Sequence, residues 1–90
     1  MYLAKTTVNN IFALHSSHNS AFCKAALSFK SSIYVEKDNK RADGKNLLYL
    51  LSLDIHFGDT ITIITEGSDE YKAALTLSEL LEAKKISCAL

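Results

Sequence analysis

Apolar and polar positions repeat with two periods along this chain, and each change of period marks an element. Tyr2 to Val8 mixes aromatic, apolar and β-branched residues and predicts a first strand, with Leu3 and Val8 pointing inward. Asn9 and Asn10 open a loop carrying Ile11, Phe12 and Leu14. From Ser16 the spacing becomes helical: Ala21, Phe22, Ala25, Ala26 and Phe29 recur at three and four residues, behind Ser16 or Ser17 as cap. Ser32 to Lys37 alternates as a strand, with Ile33 and Val35 on one face and Tyr34 and Glu36 on the other. Asp38-Asn39 is hairpin chemistry, since both residues tolerate positive φ, and Lys40 to Asp43 returns as the partner strand until Gly44 breaks it.

The second half repeats the alternation. Leu47, Leu48, Leu50 and Leu51 form a short apolar helix that Asn46 helps to start, and the turn Gly58-Asp59 leads into a strand over Thr60 to Thr65. Ser68 or Asp69 caps a last helix, Glu70 suits the positive end of its dipole, and Ala74, Leu75, Leu77, Leu80 and Leu81 supply its apolar stripe up to Lys84 and Lys85. The order is β-α-β-β-α-β-α. Strands and helices interleave without room for a crossover helix between every pair of strands, so one antiparallel sheet with helices on one face is expected. Phe22, Phe29, Ile33, Val35, Ile61, Ile63, Leu77 and Leu81 are its expected core.

Size and charge narrow the function classes. Ninety residues make a single domain with one modest core, and the absence of proline suits a regular fold. Ten basic residues balance ten acidic ones, so neither nucleic acid nor an anionic membrane is expected as partner. Cys23 and Cys88 lack metal-ligand spacing; Cys23 is expected on a buried helix face, as a small hydrophobe, and no disulfide is expected. No segment reaches the roughly 18 apolar residues of a spanning helix and the N-terminus has no signal-peptide pattern, which leads to a cytoplasmic protein. Paired carboxylates, a metal cluster and a glycine-rich phosphate loop are all missing, leaving little to build an independent enzyme.

The candidate chemistry lies in Ala13-Leu14-His15-Ser16-Ser17-His18-Asn19. An imidazole is neutral near pH 7 and has one nitrogen free to attack, so it can accept a phosphoryl group and release it again. The product carries about two negative charges, and the free backbone N–H groups of a helix N-terminus are a ready site for them. His15 directly ahead of Ser16 has that placement, and the alternative is ordinary capping with incidental histidines. His18 can contact a phosphate, join His15 in a weak metal pair, or sit exposed with no role. His56, in a turn, is assigned no chemistry.

The order of elements, together with three local patterns, resembles HPr, the histidine-containing phosphocarrier of the bacterial sugar phosphotransferase system. The family's active-site pattern G-L-H-[AT]-R-P-[AS] corresponds to Ala13 to Asn19; its regulatory pattern K-S-[LI] to Lys45-Asn46-Leu47; and its closing pattern to Gly58 to Ile64 followed by Gly67-Ser68-Asp69-Glu70. The resemblance covers essentially the whole chain and implies an α+β fold, the HPr-like open-faced β-sandwich, with a four-stranded antiparallel sheet and three helices on one face. It further implies that His15 takes phosphate from enzyme I and passes it to sugar-specific acceptor (EIIA-type) proteins, without a cofactor, in a monomer.

The departures are specific. Ser17 stands where the family has arginine, His18 where it has proline, and Asn46 where many Gram-positive relatives have the serine that a kinase phosphorylates. Ser16, Ser17 and His18 are left as candidate phosphate contacts. Asn19, Phe22, Asn46, Leu47 and Leu48 are the candidate partner surface; Leu47 is the leucine expected to be most exposed, and Leu50 and Leu51 are expected in the core. The rival expectation is a degenerate HPr paralogue that keeps the fold as a regulatory or structural protein-binding module.

Overall fold

The computed structural model describes residues 1–9 and 21–82. The expected positions of Ile11, Phe12, Leu14 and the Ser16 or Ser17 cap, the helix end at Lys84 and Lys85, and Cys88 lie outside the described residues. Within them the chain forms strand β1 (Tyr2–Thr7), helix α1 (Ala21–Leu27), strands β2 (Ser32–Lys37) and β3 (Lys40–Asp43), helix α2 (Leu47–Ser52), strand β4 (Thr60–Glu66) and helix α3 (Glu70–Glu82). The strands make one sheet in the order β1-β4-β2-β3, every neighbouring pair antiparallel.

Two tight connections fix this arrangement. Asp38 and Asn39 take φ of 49° and 72°, the two left-handed residues of a type I′ turn, and set Lys37 opposite Lys40. At the end of β3, Gly44 donates its N–H to Ile33 O at 2.7 Å. A Cβ there would stand 2.7 Å from the Ile33 Cγ2 methyl, so only glycine lets the chain pass this close on its way to α2.

The helices cover one face of the sheet. Ile33, Val35, Ala42, Ile61 and Ile63 project from that face into a core completed by Phe22 and Ala26 of α1, Leu50 of α2, Leu53 just after it, and Ala73, Leu77 and Leu81 of α3. Seven of the eight expected core residues are buried there; Phe29 is half-buried and packs against the cluster from its margin.

Strand parity corrects the reading of β1. Side chains alternate sides along a strand, so Leu3 and Val8, five residues apart, cannot share a face. Ala4, Thr6 and Val8 face the helices, and Leu3 is 59% exposed on the other side. On that outer face Leu3 and Tyr34 flank Ile64 as its register partners, and Ile64 is buried there.

Two helix positions are corrected in the same way. The buried stripe of α3 is Ala73, Ala74, Leu77 and Leu81, with Leu80 at its margin; Leu75 falls out of phase and is exposed. In α2 only Leu50 is buried, while Leu51 is 43% exposed, because a six-residue helix lying on a sheet offers the core barely one position per turn.

Candidate functional site

His15, Ser16, Ser17, His18 and Asn19 lie outside the described residues, and the anchors on either side of that segment are well defined. Before it, Asn9 is tied to the last turn of α3, its backbone N–H donating to Leu81 O at 2.8 Å and its Nδ2 to Glu82 O at 3.3 Å. After it the chain runs as α1, which Phe22 and Ala26 seat in the core. The segment carrying His15 therefore follows Asn9, which is held beside the C-terminal end of α3, and precedes α1 in the chain.

Phe22 is a correction to the candidate partner surface. Its ring is fully buried, so it belongs to the core and offers nothing to a docking protein. A large aromatic on the inner face of a short helix contributes more by leaving water than by waiting for a partner.

The α2 region carries the other candidates. Asn46 is the N-cap: its backbone is extended (φ −119°, ψ 109°) and its Oδ1 accepts the Tyr49 N–H at 3.2 Å. Leu48 is 76% exposed, whereas Leu47 is half-buried, the reverse of the expected ranking. The reason is phase: Leu47 stands three residues before the buried Leu50 and shares its side of the helix, whereas Leu48 pairs in the same way with the exposed Leu51. Tyr49, Leu51 and Phe57 extend the exposed apolar surface beyond the residues singled out from the sequence. Five consecutive apolar residues, Leu47 to Leu51, in a six-residue helix could have signalled this, since such a helix cannot bury them all.

Cys23 is half-buried rather than buried, with its Sγ donating to Lys45 O at 3.3 Å. Burial pushes the thiol pKa up and the Asp43 carboxylate adds to the shift, while a hydrogen bond from the Leu47 backbone N–H pulls it back. This favours the inert thiol over the thiolate. His56 pairs through Nε2 with Asp54 Oδ1 at 3.2 Å on the surface, and its backbone N–H donates to Asp59. That N–H, with Lys37 after it, holds the Asp59 carboxyl below its ordinary value. Among the described residues no group of three or more histidine, cysteine or acidic side chains could hold a metal ion, and no helix is long and apolar enough to cross a membrane.

A four-stranded antiparallel sheet with helices on one face defines the class as an open-faced α+β sandwich. The structure of HPr-C-His from Thermoanaerobacter tengcongensis superposes with a TM-score of 0.84 at 33% identity, covering 91% of this chain and 92% of that one. The family described as PTS HPr component phosphorylation site matches residues 3–83. Phosphocarrier protein HPr of Borreliella burgdorferi is 35% identical over 85 residues, 94% of this chain and 99% of that protein. HPr-like protein Crh of Halalkalibacterium halodurans is 44% identical over 61 residues, 68% of this chain and 73% of that protein. The chain belongs to the HPr family.

Proposed function

We propose that this chain is a phosphocarrier of the phosphoenolpyruvate-dependent sugar phosphotransferase system, working in the cytoplasm as a monomer. His15 accepts the phosphoryl group from enzyme I and hands it to EIIA-type acceptors of the sugar transporters. The observation that carries this reading is the family match over residues 3–83, a span that contains His15 and the Ala13 to Asn19 pattern around it. Its support is chemical as well: imidazole is a nucleophile that needs no activation at neutral pH, and Ser16, Ser17 and His18 supply hydroxyl and N–H donors for the phosphate. The docking surface is Asn19 with the α2 residues Asn46, Leu47 and Leu48, widened by Tyr49 and Leu51.

A second reading is favoured by one specific observation. The family arginine and proline beside the histidine are replaced by Ser17 and His18, and one relative of 44% identity is a protein called HPr-like rather than HPr. In that reading the chain binds a regulatory or structural partner through α2 and carries no phosphate. Incubation with enzyme I and phosphoenolpyruvate separates the two: an acid-labile, base-stable phosphoryl adduct lost in His15→Ala belongs only to the first.

A further inference from the structure

Lys45 stands between α1 and α2, and every polar group it has is engaged within the chain. Its backbone N–H donates to Asp43 Oδ1 at 2.9 Å, its carbonyl accepts from Cys23 Sγ at 3.3 Å, and its ammonium Nζ donates to Phe29 O at 2.8 Å. Cys23 belongs to α1 and Phe29 lies just beyond its C-terminal end, so two of these three bonds cross from the entrance of α2 to α1. The next residue, Asn46, caps α2. A surface lysine ordinarily leaves its ammonium in water. Here the ammonium is spent on a main-chain carbonyl and the residue is half-buried.

We infer that Lys45 is a positioning residue: its ammonium and its carbonyl strap the head of α2 to α1, and so set where Leu47 and Leu48 stand relative to the helix that follows the His15 segment. The inference rests on the phosphocarrier reading for its consequence in transfer, and on geometry alone for the strap. A partner that must touch α1 and α2 together meets a preorganised surface while the strap holds. Once it is broken, binding must also restore the helix position, which weakens docking without altering the imidazole that reacts.

The strap can be tested with Lys45→Met, which keeps the apolar stem and removes the donor, in a Cys88→Ser background so that Cys23 is the only thiol. The rate at which an aromatic disulfide reagent (DTNB) modifies Cys23 in the folded protein should rise about tenfold, the scale of losing one charge-assisted hydrogen bond. With enzyme I the KM for this chain should rise by roughly the same factor while kcat stays within about twofold. Lys45→Arg, which keeps a charged donor, should recover most of both effects. Thermal melting confirms that each variant is folded, and Cys23→Ala, which removes the weaker bond alone, should raise KM by a smaller factor. An unchanged thiol rate in Lys45→Met overturns the inference. So does a raised KM with an unchanged thiol rate, because Lys45 would then be touching the partner itself. If the wild type takes no phosphate, the carrier reading fails, and the thiol rate still decides the strap.

Discussion

Asp69, at the head of α3, grips Ser31, at the entrance to β2: its Oδ1 accepts both the Ser31 N–H, at 3.0 Å, and the Ser31 hydroxyl, while Oδ2 accepts the Lys30 N–H at 2.9 Å. The residues are far apart in sequence, and the carboxylate joins the start of the last helix to the strand beside β4. Gly67 makes the approach possible, for at its φ of 150° a Cβ would fall 2.7 Å from Ser31 Cα. Ser68 or Asp69 is the cap expected from the sequence, but the Asp69 side chain turns to Ser31 and Lys30. Instead Asp69 gives its main-chain carbonyl to the Ala73 N–H, and Glu70 reaches back to the Gly67 N–H.

This grip predicts a pH dependence. The Ser31 hydroxyl and then the Lys30 N–H hold the Asp69 carboxyl below its ordinary value. A carboxyl depressed on folding adds stability that is complete above its unfolded value, about pH 4, and is lost as pH falls through the folded value. In urea titrations, Asp69→Asn should therefore be less stable than the wild type at pH 7, and the gap should close below about pH 4. A gap independent of pH would assign the effect to shape rather than charge.

Thr6 faces the helices from β1 with a buried hydroxyl that has no hydrogen-bond partner among the described residues. An orphaned buried hydroxyl costs about 1–3 kcal/mol, and valine has nearly the same shape. Thr6→Val should raise stability by about 1 kcal/mol in chemical denaturation. Destabilisation of that size would show that the hydroxyl has a partner in solution.

Phe22 and Phe29 separate the centre of the core from its margin. Phe22→Ala should cost about 3–5 kcal/mol, as for a fully buried aromatic, and Phe29→Ala clearly less, because part of its ring remains in water. Equal costs in denaturant would contradict the burial difference.

Asn46 has no hydroxyl and cannot accept phosphate, so HPr kinase with ATP should leave the wild type unmodified and should modify Asn46→Ser at least in part. Asn46→Ala should cost about 0.5–2 kcal/mol by removing the cap on the Tyr49 N–H. Modification of the wild type by the kinase would show another acceptor in the chain.

The sheet, the hairpin and the N-cap of α2 were legible because each depends on local chemistry: period-two alternation in Ile33-Tyr34-Val35, two residues tolerant of positive φ at Asp38-Asn39, and a polar residue ahead of a leucine run. What was not legible depends on tertiary placement. Which of Leu47, Leu48, Leu50 and Leu51 is buried is decided by the angle at which α2 meets the sheet, a quantity absent from its six residues. Tyr2 is drawn to Tyr71 across the β1–α3 seam, ring centroids 5.3 Å apart and edge to face, a contact that no local pattern announces. The partners of Asp69 and Lys45 are likewise distant in sequence. At the candidate site, the histidine and its lost arginine and proline were readable from the pattern of Ala13 to Asn19, whereas the strap behind α2 was not.

The altered active-site pattern predicts a slow carrier. A guanidinium bonded to phosphate contributes about 1.5–3 kcal/mol, while dipole effects at an exposed helix N-terminus reach only about 0.3–1 kcal/mol. Ser17→Arg with His18→Pro should therefore speed phosphorylation by about ten- to a hundredfold. Proline suits a first helical turn, where its missing N–H has no intrahelical partner. An unchanged rate in a rapid-quench assay would remove the arginine from the account.

The most direct measurement is the mass of the intact chain after incubation with enzyme I and phosphoenolpyruvate. The account predicts one added phosphoryl group, stable in base, released in acid, and absent from His15→Ala. No adduct on the wild type, or an adduct that survives His15→Ala, would contradict it.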